Sequence, residues 1–188
     1  MSIDIESNLK QLASDWGLTE KEVMVWWRGV VRRMWAKSPP LLKFVKDNEQ
    51  LVVNTNPRSM KRFPKVKKLK CAIDGVLYGT SDVEVDHKHG ENQCTSYGDA
   101  ESFLTGIVFV SPDDLQILSK DNHKIKTYAE RYKFSFNEAK VRKDVILLKK
   151  QGKVIDKLKE LGVQSIPSTK SKQEQLLLDM MLNFIEER

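Results

Sequence analysis

Val83-Glu84-Val85-Asp86-His87 and, further on, Leu115-Gln116-Ile117-Leu118-Ser119-Lys120-Asp121-Asn122-His123-Lys124-Ile125-Lys126-Thr127 are the two stretches that decide the fold. The first is short and β-branched, which predicts a strand over Val83–Val85 that runs out at Asp86 and His87. The second opens as an apolar strand, Leu115–Leu118, and from Asp121 takes a helical period, with Ile125, Ala129 and Tyr132 on one apolar face. His123 lies two residues before Ile125, roughly 200° around the helix from it. It therefore points away from its helix's own buried stripe and shares a face with Lys126. Neighbouring side chains on a strand face opposite ways, and at a strand end that rule relaxes. One of Asp86 and His87 is then able to hold a metal while the other faces a substrate. All three histidines of the chain, His87, His89 and His123, fall in this region.

Outward from these stretches, residues from Cys71 to about Leu118 have β character, with turns expected at Asp74-Gly75 and Tyr78-Gly79 and a further strand at Ile107–Val110. Between them Gly90–Gly106 is polar and punctuated by glycine, which reads as a long loop. Upstream, Leu9, Leu12, Ala13 and Trp16 follow helical spacing until Gly17 breaks it. Thr19 with Glu22 is a capping-box signal for a second helix, on which Val23, Trp26, Trp27, Val30, Val31 and Met34 make a broad apolar face. Ala13, Gly17 and Val23 also carry helix-turn-helix spacing, though the Trp-rich second helix reads as core rather than as a recognition surface. Ser38-Pro39-Pro40 is expected to end this helical region.

Leu51-Val52-Val53 suggests a short strand. After it comes a basic arm, expected to be irregular, with Arg58, Lys61, Arg62, Lys65, Lys67, Lys68 and Lys70 around Phe63. Phosphate-contacting segments have this composition, and so does a solvated linker. Downstream, Ser135 with Glu138 opens a helix reaching about Lys150. Val154, Ile155, Leu158 and Leu161 define another, stopped by Gly162. Ser171 with Glu174 precedes Leu177, Met180, Met181, Phe184 and Ile185 on a last helix. The expected organisation is a helical hairpin over 1–37, a basic connecting arm over 38–70, a core over 71–133 and a helical region over 134–188.

Charge follows this organisation. The net +6 of the 188 residues divides into −3 over residues 1–27, +11 over 28–70, −6 over 71–127 and +4 over 128–188. An acidic centre between basic arms suits a cation held in the middle and a polyanion held by the arms. Apolar residues at 40% allow a core, and no apolar run approaches the ~18 residues of a bilayer span. The N-terminus has neither a basic nor an apolar signal region, so an intracellular protein without membrane contact is expected. The two cysteines, Cys71 and Cys94, are not in a CxxC pair, which argues against a disulfide framework or an all-cysteine zinc site.

Val85-Asp86-His87 followed by Leu115 to Thr127 resembles the HNH endonuclease family. There an acidic residue–His pair ends the first strand, and an Asn-Leu-Gln-type second strand leads into Cys-x-x-Cys-His-x-x-Lys-Thr on a helix. The resemblance covers roughly residues 71–127. It implies an α+β fold, with a ββα-metal finger core flanked by N-terminal and C-terminal helices. It implies further that Asp86 and His123 bind one divalent cation, Mg²⁺ or Mn²⁺, with His89 and Asn122 as alternative ligands. His87 would be the general base, supported by Asp114, and an imidazole's ordinary pKa of about 6.5 suits that role near neutrality. Lys124 and Lys126 would join the basic arm in contacting phosphates. Asp114 stands where the family has its middle Asn. Ser119 and Asn122 stand in place of the helix-side cysteines, and Asp74 in place of an upstream partner for Cys71. A structural zinc is accordingly not expected.

The activity implied is hydrolysis of phosphodiester bonds in double-stranded DNA, as in phage, homing and restriction enzymes. A nucleic-acid-binding protein with a catalytically weakened HNH-like scaffold is the alternative. A cutter of palindromic sites would most simply be a homodimer.

Overall fold

The computed structural model describes residues 3–89 and 93–186, which form a mixed α+β chain. Two compact units, Met1–Lys120 and Asp121–Arg188, divide it.

The first unit opens with two capped helices. In α1 (Ile5–Trp16), Asp4 accepts from the Ser7 amide at the N-terminus, and Gly17, at φ 63°, closes the C-terminus in the left-handed region. That conformation is why a glycine stands there. In α2 (Glu20–Ala36), Thr19 and Glu22 complete the expected capping box in both directions. Its buried stripe is Val23, Met24, Val31 and Trp35, while Trp26 and Met34 are about half exposed. The buried face is thus turned by about one residue from the expected one. A stripe through Met24, Val31 and Trp35 keeps the helical period, and the core lies on that side.

Ser38-Pro39-Pro40 does end α2, and it also starts another helix. Ser38 caps α3 (Pro39–Asp47), accepting from the Leu41 amide, with proline in the first turn. Proline is tolerated there because that N–H would have no intrahelical partner. The basic segment is likewise more ordered than expected. Strands β1 (Gln50–Val53), β2 (Lys65–Lys70) and β3 (Leu77–Gly79) form an antiparallel sheet in that order. Lys65–Lys70 is a strand because Leu69, fully buried, anchors it while the lysines alternate around it. Tyr78-Gly79 belongs to β3 rather than to a turn. Asp74-Gly75 is the turn, with Gly75 at φ 71° and the Asp74 carboxylate accepting from the Val76 amide.

Strands β4 (Val83–His87) and β5 (Leu115–Ser119) form a second, two-stranded antiparallel sheet. Between them, where the sequence predicts a loop and a strand, lies α4 (Ala100–Val108). Residues 90–92 of the expected loop lie outside the described residues. Ile107 and Val108 look strand-forming locally, yet Ala100, Phe103, Leu104 and Ile107 bury together at helical spacing. Packing overrides β-propensity here. Leu9, Ala13, Val23, Met24, Val31, Cys94, Ala100 and Phe103 make the core that joins α1, α2 and α4. Trp27 Nε1 donates to the Ala100 carbonyl at 3.2 Å, and Arg28 donates to the Cys94 carbonyl at 3.2 Å. Before α4, the Asp99 carboxylate accepts from the amides of Thr95 and Ser96, which lowers its pKa to about 2.

The second unit is helical: α5 (Lys120–Tyr132, beginning on the last residue of the first unit), α6 (Phe136–Lys150), α7 (Val154–Glu160) and α8 (Lys170–Glu186). Ser135 caps α6 as expected, accepting from the Glu138 amide at 3.1 Å. Val141, Val145, Val154, Leu158 and Leu177 form its core. Gly162, at φ 81°, follows α7. Ser171, expected as a cap, lies inside the first turn of α8. Phe184 is exposed, and the side chain of Ile185 lies outside the described residues. Among the described residues, no helix is long and apolar enough to cross a membrane.

Candidate active site

The register of the second sheet fixes what surrounds Asp86 and His87. β4 runs antiparallel to β5 from Val83↔Ser119 to His87↔Leu115, so Asp86 stands opposite Gln116. Paired residues present their side chains on the same face. Accordingly, Gln116 Nε2 donates to Asp86 Oδ2 at 2.8 Å and aims the carboxylate.

His87 is half-buried and held from two sides. Its Nε2 lies 3.1 Å from the carbonyl oxygen of Ile107, and its ring packs against Trp35 at 5.0 Å between centroids, tilted by 46°. A carbonyl only accepts, so in the neutral ring Nε2 carries the proton and Nδ1 is the basic nitrogen. The Ile107 carbonyl belongs to the last turn of α4, where carbonyls lack intrahelical partners and take other donors. The segment that folds against its local propensity is therefore the one that orients His87.

The chain after His87 is fastened by its main chain. The Lys88 amide donates to the Asp114 carbonyl at 2.8 Å, and Lys88 Nζ donates to the Asp113 carbonyl at 2.6 Å. This backbone link joins the residue after His87 to Asp114, whose side chain is expected to support His87. The Asp114 carboxylate accepts from the amide and hydroxyl of Ser111, which holds its pKa below the ordinary carboxylate value. His89, beyond the strand, is exposed.

The other expected site residues lie in the second unit. Asn122 and His123 are half-buried in the first turn of α5. Lys124 is exposed and pairs with Asp121 at 3.2 Å, while Lys126 pairs with Glu130. The seven cations of the basic arm lie on β2 and on the connection between β1 and β2.

No protein-family model, curated protein or solved structure matches this chain.

Among the described residues, no three or more His, Cys, Asp or Glu side chains gather as a metal-ligand group. The expected set is smaller, one carboxylate and one imidazole completed by water. Its oxygen donor, Asp86, suits a hard cation such as Mg²⁺ or Mn²⁺. Three contributors to the site are invisible in the sequence. Gln116 gains its role only once the register sets it opposite Asp86. Trp35 approaches His87 from a helix far upstream, and no local pattern announces that. The Ile107 contact is made by main chain, which leaves no mark in residue type.

Proposed function

We propose that this chain is a metal-dependent endonuclease acting on double-stranded DNA through a ββα-metal finger. The observation that carries the reading is the paired strand end. Asp86 is aimed by Gln116, and beside it His87 has its Nε2 proton on a carbonyl, which makes Nδ1 the base. His87 Nδ1 takes a proton from water, the resulting hydroxide attacks phosphorus, and the 3′ oxygen departs with its bonding electron pair. A bound divalent cation would supply Lewis-acid stabilisation of charge on the phosphate and on the departing oxygen. Asp86 would be the oxygen ligand for that cation; His123, the nitrogen ligand that the resemblance implies, belongs to the second unit. The basic arm, with Lys124 and Lys126, attracts the phosphates that an acidic centre repels.

Plasmid cleavage in Mg²⁺ or Mn²⁺, with and without EDTA, tests the reading. Asp86→Ala and His123→Ala should each raise the metal concentration needed for half-maximal cleavage. Unaltered metal dependence in both variants would sink these ligand assignments. A second reading, a DNA-binding protein on a catalytically weakened scaffold, is favoured by the engagement of the Asp114 carboxylate with Ser111. Duplex binding without EDTA-sensitive cleavage would select it.

A further inference from the structure

The ribbon formed by β1 and β2 exposes apolar side chains that folding does not explain. Leu51 pairs with Lys67 and Val53 with Lys65, so these four share one face. Leu51 is 68% exposed and Val53 72%. β1 is the outer strand of its sheet, so it also presents an open edge. At the tip, Met60 and Phe63 are 47% and 52% exposed, and the Arg62 guanidinium lies 5.2 Å from the Phe63 ring centre.

The tip is held in shape. Asn54, a buried polar residue, donates through Nδ2 to the Phe63 carbonyl at 2.7 Å and to Ser59 Oγ at 3.1 Å, and its Oδ1 accepts from the Asn56 amide at 3.0 Å. The Asn54 amide donates to the Pro64 carbonyl at 2.9 Å, closing the base of the loop. Asn56 Oδ1 accepts from the Arg58 amide in turn. Met60 and Phe63 are thus presented by a loop already ordered, which lowers the entropy cost of binding.

Charge names the partner. From Gln50 to Ile73 the chain has seven cations and no acidic residue. Those on β2 occupy both faces of the ribbon, Lys65 and Lys67 on one and Lys68 and Lys70 on the other. A membrane surface favours an element with one apolar and one basic face. Here cations lie on both faces, and the exposed Leu51 and Val53 stand beside Lys67 and Lys65 on one of them, which suits a groove walled by phosphates on both sides. The two strands of the ribbon lie about 4.8 Å apart.

We infer that the tip of this ribbon enters the minor groove of duplex DNA and wedges Phe63, with Met60, between base pairs, bending the duplex. The choice of DNA as ligand rests on the function proposed above, whereas the wedge rests on the ribbon alone. Arg58 and Arg62 would lie in the groove, where arginine is attracted by its negative potential, and the strand lysines would meet the phosphates. Unstacking one step by such a wedge bends DNA by about 20–90°.

The test uses the full chain in EDTA with a duplex of about 30 base pairs carrying a donor and an acceptor dye at its ends. Binding should raise energy transfer. In Met60→Ala/Phe63→Ala that rise should disappear while the slope of log K against log salt stays as in wild type. Circular dichroism checks the fold, and Phe63→Trp, which keeps a flat wedge, should restore the bend. Wild type binding without a change in transfer, or an alanine variant that still bends the duplex, would overturn the inference. So would capture by phosphatidylserine vesicles with no binding to duplex. Cleavage of the same duplex in Mg²⁺ is scored separately. Bending without cleavage leaves the wedge standing and removes the nuclease, and cleavage without bending does the reverse.

Discussion

The β4–β5 pair and the β1–β2 ribbon are both small antiparallel elements of the first unit, and they treat polar side chains in opposite ways. On the first, Asp86 and His87 are half-buried and fixed by Gln116, the Ile107 carbonyl and Trp35. On the second, Arg58, Lys61, Arg62, Lys65 and Lys70 are exposed with exposed apolar neighbours between them, Lys67 pairs with Glu49, and the loop backbone is fixed through Asn54. Proton transfer requires a donor and an acceptor held within hydrogen-bond reach. Attraction of a polyanion acts over about 10 Å and needs only accessible charge. On the function proposed above, the first element would carry the chemistry and the second the capture of DNA.

The largest expected effect tests that division at the first element. His87→Ala should lower single-turnover cleavage by about 10²–10⁴-fold and leave duplex affinity near wild type. A rate close to wild type would remove His87 from the chemistry. Conversely, reversing Lys61, Arg62, Lys65 and Lys67 to Glu should weaken binding to every DNA sequence alike. It should also flatten the salt dependence by about 0.9 in log–log slope for each phosphate that the arm no longer neutralises, with the rate at saturating DNA preserved. Fluorescence anisotropy in EDTA at several salt concentrations measures both. An unchanged slope would make the arm a solvated segment and erase the contrast.

A smaller effect sharpens the role of the aiming residue. Gln116→Ala should lower Mn²⁺ affinity by about 10–100-fold, the usual cost of removing a group that orients a ligand. Calorimetric titration reads it, and equal affinity would mean that Asp86 needs no such help. The smallest effect comes from the Asp99 turn. Its folded pKa, about 2, lies below the ordinary carboxylate value, so its stabilisation is present above that value and fades as pH falls toward 2. Asp99→Asn should therefore lower Tm near pH 6 and converge with wild type near pH 2. Melting curves that stay a constant interval apart across that range would refute this assignment.

Much of the frame was legible because it is written locally. Gly17, the Thr19–Glu22 box, Ser135 and Gly162 mark helix ends through chemistry that neighbouring residues complete by themselves. What escaped depends on distant partners. Ile107 and Val108 form helix because Ala100 and Phe103 have α1 and α2 to pack against. Lys65–Lys70 is a strand because two other strands flank it. Ser38 followed by two prolines is a stop and a start at once, and only the stop is evident from the prolines themselves. At the candidate site, residue types pointed to Asp86 and His87, while the groups that hold them come from a register, a main-chain carbonyl and a remote tryptophan.

The two buried cysteines give this contrast a clock. Cys94 lies in the core shared by α1, α2 and α4, where burial pushes its thiol pKa up, and Cys71 sits wholly buried at the junction of β2 with the Asp74-Gly75 turn. A thiol reagent reaches each only when its surroundings open, because the thiolate is the reactive form and both sulfurs are shielded. The rate of labelling at Cys94 thus counts openings of the helical core, and the rate at Cys71 counts openings beside the ribbon. Their ratio, followed as DNA is added, reads how far binding quiets one region relative to the other.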